Sequence, residues 1–332
     1  MVALKVVPGQ TLEGRFLILE QVARGGMSTI YKAHDLKRPG EIVAVKVSSP
    51  QYSSGLGAWS IFQREAEIGA TLDHPYILKF LPLPSTNHRN YLVTEYVPGV
   101  TLAARIGKGR RLDEREALRI MSRLCEAVDY LHSRQIVHYD LKPGNVILCE
   151  DGSIRLIDFG LAHALVKSRF GLFASAPALG TSDYVAPEQI SRHRGRRSVD
   201  VYALGSMLYE MLTGHPPFEG DDPFVVASAR QIGDPKRPRA LNPEISKEVE
   251  EITLRALRRD PAERYPTVAA LKADLDHPEQ VRISGLADRL VEVTFWRKSL
   301  RIARYIALVG VLPIALLIAS FGLLWWHFGA KR

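Results

Sequence analysis

Residues 136 to 148 read "IVHYDLKPGNVIL", a polar turn set between two apolar strand patterns. Strand-flanking turns rarely need two charges and an amide at once, so the side chains themselves carry information. Asp140, just past the first apolar pair, offers a carboxylate that can accept a hydrogen bond from a substrate hydroxyl and orient it. Lys142 can neutralise charge on a group in transit, and Asn145 presents an amide oxygen suited to a hard cation. Thirteen residues after Asn145, the strand pattern "SIRLIDFG" delivers Asp158, a second carboxylate for such a cation. Any one of these is an ordinary turn residue bonding its own backbone. HxDxKxxN followed by DFG at this spacing is poorly described as four independent turns.

Phosphoryl transfer asks a protein for positioning and charge stabilisation rather than covalent chemistry, and the remaining groups it needs lie upstream. "VARGGMSTI", which is Val22, Ala23, Arg24, Gly25, Gly26, Met27, Ser28, Thr29 and Ile30, joins two β patterns. It reads as a hairpin whose backbone N–H groups can face phosphates. Glycine-rich hairpins are common without such a role. "VAVK" then ends a strand on Lys46, flanked by apolar residues and so either snorkelling at an edge or aimed into a cleft. Glu65, in the helical pattern "WSIFQREAEIGATL", is placed to pair with it.

With these motifs in hand the chain resembles the eukaryotic-type protein kinase family, and more closely its bacterial membrane-anchored serine/threonine members. The resemblance covers residues 11 to about 277 and also rests on "VTEYVPG", "GTSDYVAPE", "DVYALG" and "DPAERYPT". It implies an ATP- and Mg²⁺-dependent enzyme, with Mn²⁺ as a substitute metal, acting on Ser/Thr hydroxyls of proteins. By this likeness Asp140 is the catalytic aspartate, with Lys142 and Asn145 beside it, and Asn145 and Asp158 ligate the metal. The segment from Val22 to Ile30 covers the nucleotide, Lys46 meets its phosphates and Glu65 holds Lys46. Thr94 stands as gatekeeper, and the backbone of Glu95 and Val97 meets the adenine. In the substrate loop Thr181 bridges Asp140 and Lys142, while Glu188 pairs with Arg264 and Asp200 ties the catalytic loop to a helix.

Three departures stand out. Tyr139 occupies a place where the family commonly has arginine, the usual partner of a phosphorylated loop residue, and a phenol cannot make that charge-assisted grip. Switching-on is therefore expected not to depend on a phosphate held from this position on Ser168, Ser175, Thr181 or Ser182. Ala23 and Ser28 replace glycines, which restricts φ and implies weaker or slower nucleotide handling. Two rival readings follow: a pseudokinase acting as a membrane scaffold, and a small-molecule phosphotransferase of the same fold. Retention of Lys46, Glu65, Asp140, Lys142, Asn145 and Asp158 argues against the first, and the APE-like segment with Asp200 and Arg264 against the second.

The 332 residues are 46% hydrophobic and 24% charged, the balance of a folded chain. Two cysteines without metal-ligand spacing argue against a disulfide framework or a structural zinc. A run of β patterns gives way near residue 113 to helical ones, so the expected fold is α+β and bilobal over 11–277, with a β-rich lobe to about 97 and a helical lobe after it. "ILKFLPL" is read among the strands, and the cleft between lobes as the ligand site. Residues 278–305 read as a basic juxtamembrane linker, 306–328 as a transmembrane helix and 329–332 as a short tail. Ile306 to Phe328 is 23 residues without Asp, Glu, Lys or Arg. As a helix it is about 34 Å long, against a hydrocarbon core of roughly 30 Å. Arg297, Lys298, Arg301 and Arg304 precede it, placing the kinase-like part in the cytoplasm by the positive-inside bias. The net charge of +8 owes much to this stretch, and no aromatic-interleaved basic stripe suggests nucleic acid as a partner. With so little chain after the span, a signal is expected to come from the cytosol, the bilayer or helix pairing. Gly310, Ala315 and Ala319 are small residues that suit close contact in a homodimer.

Overall fold

The computed structural model describes residues 6–25, 28–48, 65–81, 91–107, 109–158, 163–164, 183–190, 197–220 and 222–291. Gly26, Met27, Thr181, Ser168, Ser175, Ser182, the expected transmembrane helix and the linker beyond Val291 lie outside them. Among the described residues no helix is long and apolar enough to cross a membrane.

The first lobe is a five-stranded antiparallel sheet in the order β1 (Thr11–Leu12), β2 (Phe16–Arg24), β3 (Ser28–Asp35), β4 (Ile42–Ser48) and β5 (Tyr91–Glu95). Alternation decides its two faces. Val43, Val45 and Val47 of β4 point into a core with Phe16, Ile18, Ala33 and Val93, so Lys46 necessarily points the other way. Arg15 and Asp35 close the far end of this sheet with a two-pronged ion pair at 2.8 and 2.6 Å, and the Asp35 side chain is fully buried. Helix α1 is described over residues 65–69. The strand expected at "ILKFLPL" is not formed in the described part. Ile77 bridges Leu156, whereas Phe80 bridges Thr94, so this segment divides its pairing between two sheets and stitches the lobes together.

The second lobe begins with β6 (Gly99–Thr101) and α2 (Leu102–Ile106), and turns on α3 (Glu114–Ser133). Asp113 caps α3 by accepting the Glu116 N–H at 3.0 Å, and its buried stripe runs Ala117, Ile120, Met121, Leu124, Val128, Leu131. Then come β7 (Ile136–Val137), β8 (Val146–Cys149), β9 (Ile154–Leu156) and β10 (His163–Ala164), with β6–β8–β9 forming one small sheet and β7–β10 another. Helices α4 (Pro187–Ile190), α5 (Ser198–Thr213), α6 (Pro223–Ile232), α7 (Pro238–Leu241), α8 (Lys247–Ala256) and α9 (Val268–Asp276) complete the lobe. The α5 helix is buried nearly all round and is the pillar of the lobe. It ends at Gly214, where φ is +80° and an added Cβ would sit 2.5 Å from the Gly109 carbonyl, so only glycine fits.

The linker expected over 278–305 is not free-standing where it is described. Up to Val291 it lies along α8, held by the buried Glu251, which accepts the Ser284 N–H at 3.0 Å and the Leu286 N–H at 3.3 Å. Val291 and Asp234 exchange two further bonds at 2.9 and 3.0 Å. Backbone donors without helix partners need acceptors, and two carboxylates supply them.

The Arg15–Asp35 pair yields a stability prediction with a defined pH window. The hydrogen bond from Arg15 holds the Asp35 pKa below the ordinary carboxylate value. Its contribution is therefore present above about pH 4 and is lost as pH falls through the lower folded-state value. Arg15→Ala should cost about 3–5 kcal/mol at neutral pH in urea unfolding, because a buried charge is left behind. The gap from wild type should narrow below about pH 4.

Candidate active site

The site is assembled at the junction of the lobes from two polar clusters. In the first, Lys46 Nζ donates to Glu65 Oε1 at 2.6 Å, to Glu65 Oε2 at 2.7 Å and to Asp158 Oδ1 at 3.3 Å. Strand β4, helix α1 and the end of β9 thus meet at one ammonium. Burial on its own would lower the Lys46 pKa, but the Asp158 and Glu65 charges outweigh it and leave the pKa raised. Glu65 is almost wholly buried, while the Asp158 side chain is 42% exposed.

In the second cluster Lys142 Nζ donates to Asp140 Oδ2 at 2.7 Å. Asn145 Nδ2 donates to the Asp140 carbonyl at 2.8 Å and to its Oδ2 at 3.2 Å. Two donors thus fix one Asp140 oxygen. The clusters are joined by the backbone, since the N–H of Ile157 donates to the Asn145 carbonyl at 2.9 Å, one residue before Asp158. Both Tyr139 (φ +65°) and Asp158 (φ +66°) sit in the left-handed region that non-glycine residues avoid. Strain of this kind persists only where surrounding bonds over-determine the backbone.

At Tyr139 those bonds come from Asp200 on α5. Its fully buried carboxylate accepts the His138 N–H at 2.9 Å and the Tyr139 N–H at 3.0 Å, and meets His132 Nε2 at 2.8 Å. His138 is itself completely buried between the two clusters, and burial lowers its pKa, so the ring is held neutral beside these carboxylates. Motif reading singled out Asp200 but missed His132, which looks like one more member of the α3 apolar stripe beside Leu131. A histidine closing that stripe was the available signal.

Around this centre, Thr94 is buried on β5, with its Oγ1 donating to the Glu95 carbonyl at 3.1 Å. The N–H of Glu95 is engaged by the Lys79 carbonyl at 2.9 Å, and Val97 follows just past the strand, half-buried. The expected hairpin is present: Val22, Ala23 and Arg24 end β2, Ser28, Thr29 and Ile30 open β3, and the Gly25 N–H donates to the Ser28 carbonyl at 2.8 Å. Register places Ala23 opposite Ile30 and Ile30 opposite Lys46, so these three lie in one row on the face bearing Lys46. A methyl at position 23 leaves that face open, which spacing alone does not reveal.

Below the centre, Arg264 makes a forked pair with Glu188 at 2.7 and 2.8 Å. Its guanidinium also donates to three backbone carbonyls and lies 4.9 Å from the Tyr202 ring centroid. The fork ties α4 to α5 and to the turn before α9.

Comparison with known proteins identifies the family. A family model described as the protein kinase domain matches residues 16–275. The chain belongs to the protein kinase family. Among its relatives are a probable serine/threonine-protein kinase of Streptomyces coelicolor, 36% identical over 80% of this chain and 40% of the relative. PknB of Mycolicibacterium smegmatis is 35% identical over 80% of this chain and 43% of its own length. PrkC of Bacillus subtilis is 35% identical over 86% of this chain and 43% of its own length. Both are named serine/threonine-protein kinases, and the chain spans less than half the length of these curated relatives.

Asp200 gives the clearest structural test of the site. Asp200→Ala would strand two backbone N–H groups and His132 in the interior, each at about 1–3 kcal/mol. A large drop in the denaturant midpoint is expected, and a variant within about 1 kcal/mol of wild type would contradict the assignment.

Proposed function

We propose that this kinase-family chain is an ATP- and Mg²⁺-dependent protein serine/threonine kinase, with Mn²⁺ able to substitute, held at the cytoplasmic face of a membrane. The observation that carries the reading is the placement of Lys46 between Glu65 and Asp158, with Asp158 backbone-linked to the Asp140–Lys142–Asn145 cluster.

The donor set fits a hard divalent ion. Asn145 donates its Nδ2 to Asp140, which leaves its amide oxygen available as a ligand, and Asp158 keeps a partly exposed carboxylate. An amide oxygen and a carboxylate supplemented by phosphate oxygens and water is a natural mode for such an ion. When bound, the ion supplies charge neutralisation on the phosphates.

The chain's own groups do the rest. Lys46, kept charged by two carboxylates, binds phosphate oxygens and is itself aimed by Glu65. Asp140 accepts the hydrogen of the incoming Ser/Thr hydroxyl and orients its oxygen towards the γ-phosphorus. As the new O–P bond forms, the bond from phosphorus to the β–γ bridging oxygen breaks, ADP departs and the hydroxyl proton passes to Asp140 or water. Lys142, bonded to Asp140, offsets the charge on the moving group. The hairpin from Val22 to Ile30 covers the nucleotide, and the edge after Thr94, at Glu95 and Val97, receives the adenine. Glu188 and Arg264 hold the platform on which a protein substrate rests, which favours a protein over a small metabolite.

Membrane attachment rests on the sequence of Ile306 to Phe328 and the basic residues before it. The chain should remain with membranes after an alkaline wash and become extractable when 306–332 are deleted. Release of the intact chain by that wash would refute the anchor.

The activity test is a purified-protein assay with labelled ATP, Mg²⁺ or Mn²⁺ and a generic protein substrate. Asp140→Asn and Asp158→Ala should each lower kcat by about 100- to 10,000-fold. Wild type no faster than these variants would overturn the reading, and label on a metabolite in place of Ser/Thr would redirect it.

A further inference from the structure

Resting on the kinase reading, we propose that Arg230 is a positioning residue for the protein substrate. From α6 it fixes the backbone of residues 184–186, the segment on which the neighbours of the acceptor hydroxyl lie. The α6 helix is a surface helix, with Phe224, Val225 and Ile232 exposed, while Val226 and Arg230, one turn apart, face the lobe and are buried. The period of the helix reserves position 230 for an apolar side chain, yet an arginine fills it and is fully buried. Arginine is seldom buried to this degree, because removing a guanidinium from water is costly. Burial lowers its pKa, with Tyr202 and Asp183 opposing, and a guanidinium keeps its proton even so.

The tip of the side chain shows what the charge holds. Arg230 Nη1 donates to the Val185 carbonyl at 2.8 Å. A hydrogen bond from an ionised donor is roughly twice as strong as one between neutral groups. The chain is held on either side of Val185 as well. The Tyr184 hydroxyl donates to Glu210 Oε2 at 2.5 Å, and the Ala186 N–H donates to Gln189 Oε1 at 2.9 Å. Tyr184, Val185 and Ala186 are thus pinned in turn to α5, α6 and α4. The far end of α6 is tied down too, where Asp234 and Val291 exchange their two bonds.

This pinned segment borders the catalytic loop. Ala186 shares an apolar cluster with Val137, and Tyr139, one residue before Asp140, packs against that cluster. Consecutive residues of an extended substrate advance only about 3.3–3.6 Å each, so those beside an acceptor at Asp140 come down on this segment. Losing the Arg230 bond frees the Val185 carbonyl and shifts the surface that the substrate meets. Lys46, Glu65 and Asp158 make no bond to this segment, so the nucleotide side of the site is left as it was.

The experiment uses the full chain in detergent with myelin basic protein as acceptor. It measures kcat, KM for the acceptor, KM for MgATP and Tm for wild type, Arg230→Lys, Arg230→Gln and Arg230→Met. The Met variant is the most informative: it buries no charge, fills much of the same space and cannot donate to Val185, so the bond is lost while folding is kept. Met and Gln should each raise KM for the acceptor about tenfold, with KM for MgATP within about twofold of wild type. Lys retains a charged donor and should stay within about threefold of wild type for the acceptor. An unchanged acceptor KM in the Met variant, or a loss confined to kcat that follows a lowered Tm, overturns the proposal and leaves the kinase reading intact. Equal rises in both KM values, or a Lys variant as impaired as Met, overturn it as well. Should the Met chain not fold, Gln decides, and should neither fold, Arg230 serves the fold alone and the proposal falls. A wild type with no turnover overturns the kinase reading and this inference together.

Discussion

A carboxylate sealed inside protein must have its lone pairs filled, and at Asp200 that requirement shapes the centre of the molecule. Water cannot reach it, so its oxygens take two backbone N–H groups of the catalytic loop and a ring nitrogen of His132. The loop is thereby drawn onto α5 and bent through a left-handed residue at Tyr139. Asp140 is presented as a consequence, with its side chain already engaged by Lys142 and Asn145. The acidic group that organises the site is thus separate from those that face the opening.

The two lobes are coupled by a few contacts of different kinds. Lys46 reaches from the β sheet to Asp158 of the helical lobe, and the segment from Ile77 to Phe80 pairs with both sheets. Apolar packing is shared as well, since Leu72, Ile77, Phe80 and Leu92 belong to the same cluster as the α3 and α5 cores. Rotation of one lobe against the other therefore acts directly on the Lys46–Asp158 contact, which is the part of the site that meets phosphates under the proposed function. The half-exposed Asp158 and the buried Glu65 divide the ammonium between a fixed partner and an accessible one.

The strap from 278 to 291 adds a constraint to the same lobe. Glu251 and Asp234 anchor it to α8 and to the turn after α6, and the last of these bonds is made at Val291. Only 14 residues separate that point from Ile306. Under the proposed anchoring, the distance between lobe and bilayer is bounded by this short stretch. At about 3.3–3.6 Å per residue it reaches no more than roughly 50 Å.

Most of the architecture was legible in the chain because local rules fix it. Alternating valines in β4, the Asp113 cap and stripe of α3, and the continuous apolarity of α5 each announce an element and its buried face. The polar residues of the site were legible too, as residue types at fixed spacing, and the Glu65, Asp140, Asn145 and Asp158 side chains gather where the lobes meet. What the sequence by itself determined was this inventory of elements and charged groups, since period and spacing are properties of the chain alone. Only the tertiary structure decided that "ILKFLPL" is shared between two sheets, that Ala23 stands in the Lys46 row, that His132 turns to Asp200, and that the Tyr139 ring enters the cluster beneath the platform. Each of these depends on which distant partner offers an unfilled bond or an apolar gap, and that is settled by packing between segments far apart in sequence.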